Sequence, residues 1–272
     1  MTSPVIISRG VGTELFSANM DGSQWYFSGS RFQCELEHKV PRFGAIQFVA
    51  EAGLPLRIEI HSGWMRNFNG MLKLRSVVAP WESKDFGRNI SQKTIKAPDN
   101  VMEDGVLEMA EELRKGRWIE LDLQRQGHPS WLVRVMNVGF TEVYGDFNQC
   151  RANLLTMNFE QARLTRLLYG QGKTHLTTSQ RKMLKLLVDY ILEDAQVTGI
   201  EIDGHTDTSG QSLRNRDISI ARANRVRDFL REQGVSKTMV VRGHGSRYPL
   251  KGQSAHKNRR VEIRLIKNGS KR

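Results

Sequence analysis

One stretch constrains the fold of this 272-residue chain more than any other. Ile200 and Ile202 alternate with Glu201 and Asp203, which reads as a half-buried strand. The polar loop Gly204-His205-Thr206-Asp207-Thr208-Ser209-Gly210 follows, bounded by glycines expected to let it bend and let a ligand approach closely. Beyond Asn215, the residues Ile218, Ala221, Val226, Phe229 and Leu230 recur at helical spacing with Arg222 among them, and Gly234 stops the run. Strand, tight polar loop and arginine-bearing helix, in that order, place a site for a small charged ligand at a helix entrance.

The flanking residues extend this unit. Asn153–Phe159 carries a short apolar run that predicts a strand. After the Gly170-Gln171-Gly172 turn, a stripe through Met183, Leu184, Leu186, Leu187, Val188, Ile191 and Leu192 predicts a helix capped by Thr177 or Thr178. Met239-Val240-Val241 and Val261–Ile266 supply two more strands. The order β-α-β-α-β-β is that of an α/β sandwich with its helices on one face of a sheet.

The first half reads differently. Leu56–Ile60, Met71–Arg75, Trp118–Leu123 and Trp131–Val135 alternate apolar and polar residues between Gly, Pro and Asn punctuation, as antiparallel strands do. Glu103–Lys115 is the one helical pattern, stopped by Gly116. The fold class is therefore α+β: a β-rich sandwich or barrel-like domain, then the α/β sandwich. His38, His61 and His128 are scattered, and no nucleophile sits in a recognisable turn. Trp64, Trp81 and Phe68 could form a partner surface, but core packing is the better expectation for each. No catalytic residue, cofactor or metal site is expected, and the protein reads as a binding protein rather than an enzyme.

Charge marks the boundary. Met1–Leu155 carries 18 Lys+Arg and 18 Asp+Glu, so the whole net charge of +12 falls in Thr156–Arg272. Domains 1–155 and 156–272 follow, the second expecting an anionic partner. Nucleic acid and an acidic cell-wall glycopeptide both fit on charge. No apolar run approaches the roughly 18 residues that span a bilayer. Met1–Ile7 has no features of a signal peptide, so the chain is either cytosolic or begins with mature residues behind an added methionine. Cys34 and Cys150 are either two unrelated buried thiols or a disulfide joining the ends of the first domain, which would need an oxidising compartment.

Several motifs together then carry a resemblance. Gly204-His205-Thr206-Asp207, Gly210, Asn215, Ile218-Ser219, Arg222-Ala223 and Asn258-Arg259-Arg260-Val261-Glu262-Ile263 resemble the signature of the OmpA-like peptidoglycan-binding domain. The resemblance implies that Asp207 and Arg222 are the binding pair, with Asn215, Arg259 and Thr208 beside them. The implied ligand is the diaminopimelate of the peptidoglycan stem peptide, which carries an ammonium and a carboxylate on one carbon. An acceptor-only carboxylate suits the first and a forked guanidinium the second. The loop Pro249–Lys257 departs from the family: it is shorter and lacks a Gly-Arg step before Asn258.

The first half has a resemblance of its own. Gln33–Gly44, Leu113–Arg117 and Phe147–Leu155 are similar to the MotY family of periplasmic proteins of sodium-driven flagellar motors. That resemblance implies a Cys34–Cys150 disulfide and a periplasmic location at the flagellar basal body. It also implies association of the N-terminal domain with the basal body and a MotX-like protein, and indirect support of the stator. Two other classes compete. A basic nucleic-acid-binding protein fits the charge, but this half has few aromatics for base stacking and no recognised DNA-binding module. A wall hydrolase lacks a zinc constellation or a paired-carboxylate cleft.

Overall fold

Alternation along the chain becomes burial in the structure. The computed structural model describes residues 12–79, 81 and 87–267, and the expectation for Met1–Ile7 lies outside them. The chain divides into two compact units, Met1–Leu154 and Leu155–Arg272. Each is described by itself.

In the first unit the strands run β1 (Glu14–Ser17), β2 (Trp25–Gly29), β3 (Gln33–Val40), β4 (Gly44–Glu51) and β5 (Arg57–His61). They continue with β6 (Asn69–Val77), β7 (Arg88–Lys96), β8 (Val101–Met102), β9 (Trp118–Gln124) and β10 (Trp131–Val135). Among the described residues these form two five-stranded sheets, β1-β10-β9-β6-β7 and β2-β3-β4-β5-β8. All neighbours are antiparallel except β1, which runs parallel to β10. Along β3, Cys34, Leu36, His38 and Val40 point inward between Glu35, Glu37 and Lys39, the two-residue period of a sheet with one wet face. Leu36 and Phe48 from one sheet join Leu72, Leu121 and Val133 from the other in a single core.

Among the described residues this unit also holds a short 3-10 helix, Gly63–Asn67, and two α-helices, α1 (Val106–Arg114) and α2 (Phe140–Ala152). Helix α1 lies within the predicted Glu103–Lys115 and ends before Gly116, which has φ +92°. Helix α2 was not predicted. Its apolar face is Phe140, Tyr144 and Phe147, whose rings stack in sequence, and the mid-helix Gly145 hides the pattern by reading as a breaker. Phe68 is fully buried, so it forms no partner surface; Trp64 and Trp81 are 41% and 63% exposed, against the expectation of core packing. A disulfide joins Cys34 of β3 to Cys150 of α2 across 116 positions of sequence.

The second unit contains α3 (Phe159–Ala162), β11 (Leu164–Leu168), α4 (Thr178–Glu193), β12 (Val197–Gly204), α5 (Ser212–Glu232), β13 (Thr238–Gly243), α6 (Ala255–Asn258) and β14 (Arg260–Lys267). The sheet order is β11-β14-β12-β13, with β12 parallel to β13 and the other pairs antiparallel. This is the predicted β-α-β-α-β-β order with two short helices added. The strand expected at Asn153–Phe159 is not formed there. Asn158 instead caps α3 through a reciprocal pair of hydrogen bonds with Gln161, and the strand follows at Leu164. Thr177 caps α4 in the same way with Gln180. Leu184, Leu187 and Ile191 of α4 are buried, as are Ile200 and Ile202 of β12 and Val261, Ile263 and Leu265 of β14. Among the described residues, no helix is long and apolar enough to cross a membrane.

The disulfide makes a direct prediction. Unreduced protein unfolded in denaturant should give no free thiol with a thiol reagent. Reduction should lower the stability of the first unit by about 4 to 5 kcal/mol, as the loop-entropy argument gives for so long a loop, measured by denaturant unfolding with and without reductant.

Candidate functional site

The site is built where α5 meets the ends of β12 and β13. A Cβ on Gly204 would lie 2.0 Å from the Ser219 carbonyl oxygen, and one on Gly243 would lie 2.8 Å from the Ile220 backbone nitrogen. Both strands therefore end in glycine because the helix backbone lies against them. Gly204 thus serves close helix packing and not, as the sequence suggested, loop bending or ligand approach. Gly210 does serve the bend, with φ +83° and open space around it. Ser219 fixes the contact: its hydroxyl donates to the Arg216 carbonyl at 2.8 Å and accepts from the Gly245 N–H at 3.0 Å.

The helix begins at Ser212, earlier than the apolar stripe from Ile218 indicated. Asn215 consequently sits on its first turn. Its Nδ2 donates to the Ser209 carbonyl at 2.9 Å and, more weakly, to the Asp207 carbonyl at 3.4 Å, folding the loop back over the helix. Two turns further on, Arg222 is 1% exposed. Its Nε donates to the Lys173 carbonyl at 2.7 Å, Nη1 to that of His205 at 3.1 Å and Nη2 to that of Gly170 at 3.0 Å. The guanidinium carbon lies 4.8 Å from the centre of the Tyr169 ring, a cation–π contact. Among the described residues no carboxylate hydrogen-bonds to Arg222. Burial lowers its pKa, but a guanidinium stays charged.

Asp207 is paired with a different arginine. Its carboxylate accepts from Arg259 Nη1 at 2.7 Å and from the backbone N–H and hydroxyl of Ser209. Arg259 is held in turn by its Nε, which donates to the Tyr169 carbonyl at 3.1 Å. Burial alone would raise the Asp207 pKa; the Ser209 and Arg259 hydrogen bonds outweigh it and lower the pKa. The structure thus brings Asp207, Asn215, Arg222 and Arg259 together. Thr208 is exposed and outside the cavity, whose wall Ser209 supplies in its place.

The cavity has a volume of about 210 Å³. The turn before α4 contributes Gln171 and Gly172, and the loop after β12 contributes Thr206 through Gly210 apart from Thr208. From α5 come Arg214, Asn215, Ile218 and Arg222, and from the residue between α6 and β14 comes Arg259. Three guanidiniums thus face one carboxylate. Arg214, Ile218 and Arg222 lie four apart on one helix face, a signal present in the sequence once the helix is known to start at Ser212.

His205 stands behind the site, 5% exposed, with its ring stacked on His244 at 5.0 Å. Burial first, then the neighbouring charges of Arg260 and His244, lower its pKa to about 4. The folded chain therefore keeps this ring neutral between about pH 4 and 6.5, where the unfolded chain binds a proton.

Two predictions follow from this geometry. Gly204→Ala should destabilise the second unit by several kcal/mol, while Gly210→Ala should cost about 1 kcal/mol, both read by urea unfolding. Stability contributed by neutral His205 is complete above pH 6.5 and declines towards pH 4 by about 1.4 kcal/mol per pH unit. His205→Gln should remove that slope, seen in urea midpoints across this range.

Comparison with known proteins divides the chain at a similar place. Residues 16–156 match the MotY N-terminal domain family, and residues 168–262 match the OmpA family. The chain is 26% identical to the sodium-type flagellar protein MotY of Vibrio parahaemolyticus serotype O3:K6, covering 96% of this chain and 97% of that protein. It is 25% identical to the putative lipoprotein YfiB of Escherichia coli K12 over 50% of this chain and 80% of the relative. Among solved structures, the peptidoglycan-associated lipoprotein of Burkholderia pseudomallei is 24% identical with a TM-score of 0.35, covering 37% of this chain and 89% of that one. The periplasmic domain of Helicobacter pylori MotB is 20% identical with a TM-score of 0.35, covering 39% of this chain and 76% of the other.

Proposed function

The chain belongs to the MotY N-terminal domain family, and from that membership we propose that it is a non-enzymatic flagellar motor component that anchors to peptidoglycan through its second unit. One observation carries the binding site: Arg222, a fully buried cation, lines an open cavity and, among the described residues, has only backbone carbonyls as hydrogen-bond acceptors. A carboxylate entering the cavity completes its charge and takes its remaining N–H groups, in a setting shielded from water where such a bond is strong. Asp207 faces the same cavity and takes the ammonium on the same carbon of diaminopimelate. Arg259 and Ser209 hold the Asp207 carboxylate in position while leaving it lone pairs to accept with. Asn215 acts through the loop rather than on the ligand.

The Cys34–Cys150 disulfide supports a periplasmic location, because such bonds persist in oxidising compartments. The first unit, bearing the MotY-type match, is the part we assign to the basal body and a MotX-like partner, with the stator supported indirectly. Its exposed Trp64 and Trp81 are candidate contacts for that association.

Sedimentation with purified peptidoglycan sacculi tests the site. Asp207→Ala and Arg222→Lys should each reduce the bound fraction by about tenfold or more, with far-UV circular dichroism unchanged. Soluble diaminopimelate should compete with the wild type. Folded variants that sediment as well as wild type would show that the wall is bound elsewhere.

A further inference from the structure

The cavity holds more positive charge than a zwitterionic centre can answer. Arg214, Arg222 and Arg259 line it together with the single carboxylate of Asp207. An ammonium and a carboxylate on one carbon add no net charge, so that ligand alone leaves the surplus in place. The three arginines also differ in how they are held. Arg222 is tied to three carbonyls, and Arg259 to Asp207 and the Tyr169 carbonyl. Arg214 is exposed at the rim and, among the described residues, makes no hydrogen bond or ion pair.

Helix geometry orders these groups. Arg214, Ile218 and Arg222 share one face of α5, and eight residues of helix separate the outer arginines by about 12 Å at the Cα atoms. Long side chains on such a face lean towards the N-terminal turn, so Arg214 stands at the mouth, Ile218 in the middle and Arg222 at the floor. The helix thus presents cation, apolar surface, cation. The complementary ligand is carboxylate, methylene run, carboxylate. Diaminopimelate has that sequence when its far carboxyl group is free, and loses it when the far carboxyl is capped as an amide.

We propose that Arg214 binds this second carboxylate, with the methylene run lying on Ile218, so that the site selects stem peptides whose far diaminopimelate carboxyl is uncapped. The inference rests on the peptidoglycan reading of the cavity and names the ligand form it prefers. Arg214 acts as a specificity residue, while Arg222 and Asp207 hold the zwitterionic end common to both forms.

Isothermal titration of the full chain with two probes tests it. One is the tripeptide alanyl-γ-glutamyl-diaminopimelate with its far carboxyl free; the other is the same tripeptide amidated at that carboxyl. Wild type should bind the acid about three- to tenfold more tightly, and the preference should shrink as salt is raised, as for an ion pair at a cavity rim. Arg214→Gln should bind both forms with the affinity wild type shows for the amide. Equal wild-type affinities for the two probes, or a preference kept by Arg214→Gln, would overturn the role of Arg214 while leaving wall binding intact. Failure of wild type to bind either probe would overturn both readings together.

Discussion

A guanidinium taken out of water must be answered, and in this protein three backbone carbonyls answer Arg222 in part. Each comes from a segment with no regular structure: Gly170 and Lys173 from the turn before α4, and His205 from the loop after β12. Those segments are therefore shaped by the need to aim carbonyls at one point. Removing the cation would leave three buried acceptors facing one another, whereas keeping it leaves a positive charge without a carboxylate. The unanswered half of that balance is the feature on which the proposed binding site rests. A structural salt bridge between Asp207 and Arg222 would have closed the account internally. Instead Asp207 is engaged by Arg259, and the two charges that a zwitterion needs stay separate.

The depth of Arg222 depends in turn on how closely α5 approaches the sheet. Gly204 and Gly243 lie on neighbouring parallel strands at paired positions, and both would collide with the helix backbone if they carried a Cβ. Two adjacent glycines thus make a shallow seat for the Ser219–Ile220 peptide. Arg222 follows within a turn and is lowered with it between the two loops. Ser219 adds the hydrogen bond that joins this seat to the loop after β13, which also receives the Thr206 N–H at the Gly245 carbonyl. Strand, helix and both loops are consequently one unit, so a change at Gly204 acts on the cavity through the height of the helix.

Much of this could be read from residues alone, and the failures have identifiable causes. The alternating runs became strands because one face of each sheet is buried, and that signal needs no distant partner. A cap at Thr177 or Thr178 was readable from its place just before the apolar stripe, and the reciprocal bonds with Gln180 three residues on select Thr177. The pairing of Asp207 with Arg259 was not readable, since it depends on where β14 returns beside β12. Arg214 was missed because the stripe from Ile218 concealed the polar first turn of α5, whose residues face a cavity rather than a core. Helix α2 was missed for a local reason, the glycine at its centre. Thr208 and Ser209 are adjacent in a loop without periodicity, and only the fold shows that Ser209, bonded to Asp207, lines the cavity while Thr208 is exposed.

The basic charge of the second half also looks different once its partners are known. On the face of the sheet formed by the polar positions of its strands, Arg242 bonds Asp203 at 2.7 Å and Glu201 at 3.0 Å, while Arg264 reaches Glu201 at 3.4 Å. Arg166 and Arg260 share Glu262 at 3.1 and 2.8 Å. These arginines are committed to the sheet: Arg166 faces Glu262, Arg264 faces Glu201 and Arg242 faces Asp203 across the pairing, while Arg260 bonds Glu262 of its own strand. A nucleic-acid surface needs cations spread along one face and free to neutralise phosphates. Here four arginines are engaged by carboxylates on the sheet, and three more converge on a cavity the size of one small ligand. Convergence of that kind gives selectivity for the shape and charge order of a ligand, whereas a spread of free cations would give affinity for any polyanion. These seven of the 23 Lys and Arg in Thr156–Arg272 are therefore better understood by their placement than by the domain's summed charge.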